Sequence, residues 1–311
     1  MDFTVIICTY NRAGNLSTCI EKLARQTDVG SIEWEVLIVD NNSSDATRET
    51  VGQLASVGYP KIRYAFESEQ GLNYARNRGV RDSAGKYFCF IDDDILVGPH
   101  WLHSVYDALK RNDADALGGR IHLDPSLTLP KWIQPDMYGF LGYQDFGDKP
   151  FQMDGIKRYP FGGNMAFNRR VVEKIGYFNP KLGRKGAGRK RGELFKGAET
   201  DFSHRLTAAG GRIFYEPRAI VYHQILPFQL RKKYFRTIHY NAGYQKAYFD
   251  GSEFRRKLFG IPLFMFVHLA RAVGRYLFHV ATKGPDFAFR QRMTVGYTLG
   301  MINGYARRPS K

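Results

Sequence analysis

Cysteine is scarce. The 311 residues hold three, Cys8, Cys19 and Cys89, with no metal-ligand spacing and two of them inside apolar runs, which excludes a disulfide scaffold or a zinc cluster and predicts a reducing compartment. No basic leader or signal-length apolar stretch follows Met1, and the chain runs directly into Phe3-Thr4-Val5-Ile6-Ile7, so the expected location is cytoplasmic. Uninterrupted hydrophobic runs are also missing: residues 261–280 are apolar but broken by Arg271 and Arg275, which argues against a spanning helix. No Gly-x-Gly-x-x-Gly follows the first apolar run, which removes a dinucleotide-dependent oxidoreductase. There are no internal repeats. Acid is rare in the last quarter, where residues 229–311 hold 16 Lys and Arg against 3 Asp and Glu. The preceding 228 residues hold 30 against 27, so the net charge of +16 belongs to the C-terminal quarter, and its partners are expected to be anionic.

What is present is a regular alternation. Phe3-Thr4-Val5-Ile6-Ile7-Cys8, Trp34-Glu35-Val36-Leu37-Ile38-Val39, Ile62-Arg63-Tyr64-Ala65-Phe66 and Tyr87-Phe88-Cys89-Phe90-Ile91 read as strands. Helical stretches over residues 15–26, from 45 towards 55 and over 71–84 separate them. Strands alternating with helices predict an α/β fold with a mainly parallel, twisted sheet, and strands buried on both faces should be this uniformly apolar. In such sheets ligands bind beyond the carboxyl ends of the strands. Three polar clusters stand there: Thr9-Tyr10-Asn11-Arg12, Asp40-Asn41-Asn42 and Asp92-Asp93-Asp94. Adjacent carboxylates repel and raise one another's pKa unless a positive charge neutralises them, and hard oxygen ligands suit Mg²⁺ or Mn²⁺ bridging to a diphosphate. The competing reading of the aspartates is an acidic surface turn.

These motifs resemble glycosyltransferase family 2, inverting enzymes of the GT-A fold, over about residues 3 to 224. Val5-Ile6-Ile7-Cys8-Thr9-Tyr10-Asn11-Arg12 matches the family's first strand and loop, and Val39-Asp40-Asn41-Asn42-Ser43-Ser44-Asp45 its second. The resemblance implies a metal-dependent hexosyl transfer with inversion, from a nucleotide-sugar, a UDP-sugar by default, to a glycan or lipid-linked acceptor in cell-surface or exopolysaccharide synthesis. It implies that Thr9, Tyr10 and Asp40 hold the base, that Arg76 approaches the nucleotide, and that Asp92 and Asp94 are the outer members of a DxD motif, Asp92 on the ribose side and also among the metal ligands, Asp94 at the metal. Asp93 supports them, and Arg12 and Asn42 belong to the same donor side. Phe161-Gly162-Gly163-Asn164 resembles the family's glycine loop. His223 resembles a C-terminal histidine that joins the metal site, with a half-buried structural histidine as the alternative. Lys196-Gly197-Ala198-Glu199-Thr200-Asp201 resembles an acidic motif before an acceptor-site helix, with Ala198 in place of the first acid. Glu199 is the first choice for general base and Asp201 the second.

The expected organisation is a catalytic domain over residues 1–228, with a donor half to about 118 and an acceptor half from 119, followed by a basic helical extension over 229–311. Regularity is expected to fade after Gly118 into an irregular cleft wall, with a helix near 171–176, a mobile basic loop over 181–196, a helix from Glu199 and two short strands, 213–215 and 219–222. In the extension, His268, Arg271, Arg275 and His279 share one helical stripe. With Arg255-Arg256-Lys257 upstream, this predicts an in-plane helix at the inner face of an anionic membrane, the alternative being a helix docked on the domain or at a dimer contact. Two other functions compete: a sugar-nucleotide-forming nucleotidyltransferase, whose Gly-rich triphosphate loop is poorly matched here, and a basic nucleic-acid-binding protein, for which no RNA-recognition signature appears. The expected partners are therefore a donor, an acceptor and a membrane, without nucleic acid. Oligomeric state is open.

Overall fold

The computed structural model describes residues 1–58, 60–186, 191–193 and 197–308. They form two compact units. The first comprises residues 1–127, 142–186 and 197–225; the second, residues 128–141, 191–193 and 226–308.

The first unit is a three-layer α/β structure. Its elements are β1 (Phe3–Thr9), α1 (Ala13–Ala24), β2 (Trp34–Asp40), α2 (Thr47–Ser56), β3 (Ile62–Phe66), α3 (Leu72–Asp82), β4 (Tyr87–Asp92), β5 (Ile95–Val97), α4 (Trp101–Arg111), β6 (Ala116–Leu123), β7 (Phe151–Met153), β8 (Met165–Asn168), α5 (Arg170–Ile175), α6 (Ala198–Ala208) and β9 (Ile213–His223). The sheet runs β3-β2-β1-β4-β8-β6-β9-β5, with β7 also on β9. β3, β2, β1 and β4 are parallel, as predicted. Every residue of β2 is buried, because helices cover both faces of the sheet. Phe3, Val5 and Ile7 face Leu16, Val51 and Trp101 of α1, α2 and α4, and Ile6, Leu37 and Phe90 face Ala75, Phe202 and Leu206 of α3 and α6. Each Val, Leu or Ile withdrawn from water in this way contributes about 1.5–3 kcal/mol.

The part of the first unit after Gly118 is more regular than its sequence suggests. β6 continues past Gly118 to Leu123, and β8, on Ala166 and its neighbours, pairs antiparallel with both β4 and β6. Residues 213–223 form one continuous strand with a register shift against β6 at Gly119 and Arg120, not two short ones. Helix α4, with Trp101, Leu102 and Val105 buried, had no counterpart among the predicted elements. The expected mobile basic loop falls partly outside the described residues, at 187–190 and 194–196. Its described beginning is docked: Arg184 O accepts from Leu72 N at 2.9 Å, and Leu182 O accepts from Asn73 Nδ2 at 3.1 Å.

The second unit consists of α7 (Lys232–Tyr248), a hairpin of β10 (Lys257–Leu258) and β11 (Ile261–Pro262), α8 (Phe264–Lys283) and α9 (Phe289–Ala306). It takes in residues 128–141, a stretch predicted as part of the catalytic domain, because Trp132 packs edge-on against Phe235 and Phe289 at 5.0 and 4.8 Å between centroids. Helices α7 and α9 touch backbone to backbone. A Cβ on Gly243 would lie 2.0 Å from Tyr297 O, and one on Gly300 2.1 Å from Tyr240 O, so only glycine permits this approach. Among the described residues no helix is long and apolar enough to cross a membrane.

Candidate active site at the carboxyl edge of the sheet

Pairing register brings the three polar clusters together. Thr9 lies opposite Asp40, and Cys8 opposite Asp92, so the ends of β2, β1 and β4 form one edge. The ends of β6 and β9 reach the same edge, since both strands run parallel to β4 through the antiparallel β8. His122 and His223 therefore stand at the same sheet edge as Asp92.

The β1 and β2 loops lock each other. Asn11, at φ 52°, accepts from Ser44 N at 2.7 Å, and Asp45 accepts from Ala13 N at 3.1 Å, capping the first turn of α1 from a neighbouring loop. Asp40 is buried and accepts from Tyr64 Oη at 2.9 Å and Ser43 N at 2.9 Å. Asn42 is exposed, with φ 64°, and its Nδ2 donates to Ser68 O at 3.3 Å. Tyr10 is half-buried.

The aspartates divide their tasks. Asp93 accepts from Thr9 Oγ1 at 2.7 Å and from Arg12 at 2.8 Å. It is buried, both its oxygens are engaged, and the Thr9 hydroxyl is committed to it. Asp94 accepts from the same Arg12 nitrogen at 2.8 Å, and its Oδ1 faces His223 Nε2 at 3.3 Å. Burial pushes the Asp94 carboxyl up, but His223 and Arg12 outweigh it and hold the group below the usual carboxylate range. Asp92, whose charge gains less compensation, is pushed up by burial and then by Asp94. Arg12, assigned to the donor side from sequence, works here as the counter-ion of two aspartates.

Across the glycine loop stands a second ion pair. Arg76, wholly buried, donates to Glu199 Oε1 at 3.0 Å and stacks over Phe90 and Phe178 at 5.7 and 5.4 Å. Its Nη1 has no hydrogen-bond partner among the described residues. Burial raises the Glu199 carboxyl and Arg76 lowers it, with a net shift downward, so Glu199 is ionised at neutral pH. Asp201 does not join this group. Two residues further along α6 is about 200° around the helix, and Asp201 instead accepts from Arg205 at 2.9 Å.

The loop fits between these pairs because it has no side chain. A Cβ on Gly162 would lie 2.1 Å from Arg76 Nη2 and 2.5 Å from Glu199 Oε1, and one on Gly163 3.6 Å from Asp92 Oδ2. Asn164 departs from its expected place on the donor side. Its Oδ1 accepts from Trp101 at 2.9 Å and its Nδ2 donates to Arg120 O and Ala219 O at 3.1 and 2.8 Å, so its side chain braces the sheet. Gly162→Ala should therefore lower turnover by about a hundredfold and cost about 1–3 kcal/mol of stability through overpacking. Gly14→Ala, with nothing within 4 Å of the new methyl, should be neutral or slightly stabilising. Thermal melting and initial rates read both, and a Gly162→Ala protein that matches wild type would mean that the loop is not seated between Arg76 and Asp92.

Sequence reasoning missed a polar cluster at the ends of β6 and β9. His122 Nε2 lies 3.2 Å from Asp145 Oδ2, and Asp145 Oδ1 lies 3.2 Å from Arg120 Nε and accepts from Tyr215 Oη at 3.3 Å. Tyr143 stacks on His122 and Tyr222 meets it edge-on, at 5.8 and 6.1 Å. Strand alternation puts His122 and Tyr222 opposite to Ile121 and Val221, hence on the sheet face that carries α3 and α6. The signal for it is the polar alternation Arg120-Ile121-His122, obscured by its position after two glycines.

Among the described residues no three His, Cys, Asp or Glu side chains converge as metal ligands, so Asp92 is not gathered with Asp94 and His223 into the expected trio. The facing pair Asp94–His223 still fits a hard divalent ion that brings its own diphosphate and waters, as Mg²⁺ commonly does. The carboxylates of Asp92, Asp93, Asp94 and Glu199 stand against Arg12, Arg76, Arg184 and His223. These cations are already engaged by the carboxylates, so a diphosphate entering the site would be favoured by an accompanying cation. The three thiols are buried or half-buried, and burial raises the pKa of each, Cys8 to about 12, so none is a nucleophile.

Comparison with known proteins shows the family and the fold. The family model described as glycosyl transferase family 2 matches residues 4–176. The chain is 26% identical over 258 residues to a glucosyl-dolichyl phosphate glucuronosyltransferase of Haloferax volcanii, covering 80% of this chain and 78% of the relative. Among solved structures, the mannosyltransferase PcManGT from Pyrobaculum calidifontis in complex with GDP-Man and Mn²⁺ aligns with TM-score 0.60 at 19% identity, over 96% of this chain and 85% of that one. TarS residues 1–349 of S. aureus in complex with UDP-GlcNAc aligns with TM-score 0.57 at 15% identity, over 97% and 90%. The shared fold is GT-A.

Proposed function

The chain belongs to glycosyl transferase family 2, and from that premise we propose that it transfers a hexose from a nucleotide-sugar to a hydroxyl of a glycan or lipid-linked acceptor, with inversion. The observation that carries the mechanism is the Arg76–Glu199 pair bridged over Gly162, one glycine away from Asp92. Asp92, Tyr10, Asp40 and the β2 loop line the donor side; Asp94 and His223 would hold a Mn²⁺ or Mg²⁺ ion. When bound, that ion would neutralise charge on the departing diphosphate. Glu199 takes the proton of the acceptor hydroxyl as its oxygen bonds to the anomeric carbon from the face opposite the nucleotide; the carbon–phosphate-oxygen bond breaks and the nucleoside diphosphate leaves. The free Nη1 of Arg76 suits a donor phosphate oxygen. Sharing its charge with that phosphate loosens its hold on Glu199, so donor binding raises the basicity of the base.

The acceptor lies on the side of His122, Tyr143 and Tyr222, whose rings offer a stacking surface for a sugar. A lipid-linked acceptor is supported by the dolichyl phosphate named for the Haloferax relative, and a UDP-sugar is the first donor to try. Calorimetric titration with UDP, GDP and dTDP, each with Mn²⁺ and with chelator, tests the reading: one nucleotide should bind, and only with metal. Binding of none would leave the three loops without a donor site.

A further inference from the structure

We infer that the second unit carries a bilayer-docking surface, formed by the β10–β11 hairpin tip and the open arc of α8, whose occupant is an anionic lipid headgroup layer. Of the 20 residues of α8 only Met265 is buried. At 100° per residue, Leu269, Ala272, Val273, Tyr276 and Val280 share its side and are half-buried, the side that packs on α9. Next around the helix come Phe266, Val267, Leu277 and Phe278, exposed at 39%, 49%, 58% and 63%. Beyond them runs the stripe of His268, Arg271, Arg275 and His279. The hairpin just before α8 bears further exposed apolar side chains. Leu258 and Phe259 are 48% and 85% exposed at its tip, directly after Arg255, Arg256 and Lys257. A contiguous apolar arc of this kind on a folded unit marks a contact surface, not ordinary exposure.

Charge selects the occupant. Residues 254–284 contain six Lys and Arg and no Asp or Glu. A second copy docked by this face would set that cationic rim against its own like charge. RNA would satisfy the cations but leave Phe259, Leu277 and Phe278 in water. An anionic bilayer answers both: the acyl boundary takes the apolar arc while the arginines reach the phosphates, with the helix lying in the plane of the interface.

The test is co-sedimentation of the full chain with phosphatidylcholine vesicles, with and without about a third phosphatidylglycerol. It requires no turnover, so its outcome is independent of the catalytic reading. The chain should bind the anionic vesicles and be released by salt. Arg271→Glu/Arg275→Glu and Leu277→Ser/Phe278→Ser should each weaken partitioning by about tenfold or more. The same charge change placed elsewhere, Arg25→Glu/Lys61→Glu, should weaken it by less than about threefold. Melting curves at wild-type values certify that the variants fold. Equal binding to neutral vesicles, an equal loss in the control pair, or no loss in the α8 variants overturns the inference. So does absence of vesicle binding together with RNA binding or self-association through the same residues.

Discussion

Glu199→Gln should reduce turnover by about 10²–10⁴-fold, the usual worth of a general base, while leaving donor affinity unchanged or slightly tighter. The asymmetry follows from the ion pair. The amide that replaces the carboxylate still fits beside Gly162 but cannot accept the hydroxyl proton, and it no longer neutralises Arg76, whose guanidinium is left with more charge for the donor diphosphate. Asp201→Asn should change turnover little, because that carboxylate is committed to Arg205 at 2.9 Å on the other side of α6. Single-turnover rates and calorimetric donor affinity, measured on both variants, separate the two acids. If Asp201→Asn is the dead variant, the base has been misassigned and Glu199 serves only to orient Arg76.

Asp94→Asn should abolish the metal-dependent part of nucleotide binding. Partners of a ligand at one remove are commonly worth about 10–100-fold in metal affinity, so neutralising the ligand itself should exceed that. Asp94 is the aspartate whose charge is held in place by both His223 and Arg12, and it is the one that stays ionised beside two carboxyls pushed upward. The fold should survive, since Arg12 keeps Asp93 at 2.8 Å and the strand ends remain paired. Titration with and without chelator reads the effect. Metal-dependent affinity equal to wild type would remove Asp94 from the ion's coordination.

Residues near in sequence carried the parallel strands β1 to β4. β1, β2 and β4 are mainly apolar because helices cover both their faces, so their runs and the polar clusters that end them are legible one segment at a time, and so is the C-terminal excess of cations. Where a contact depends on distant partners, local pattern was silent. β8 joins β4 to β6 across about eighty residues of chain, and the packing of α9 on α7 rests on Gly243 and Gly300 meeting a neighbouring backbone, which no apolar periodicity announces. Three assignments therefore belonged to tertiary structure. Glu199 and Asp201 are equal in composition and differ only in the rotational phase of α6, which Phe202 and Leu206 set by packing into the sheet. Asn164 reads as a donor-loop residue until Trp101, from a helix absent from the sequence reading, takes its oxygen. His122 becomes part of the cleft only because β6 runs parallel to β4 through an antiparallel neighbour. Composition decides what a strand buries; pairing and helix phase decide which polar groups meet at its end.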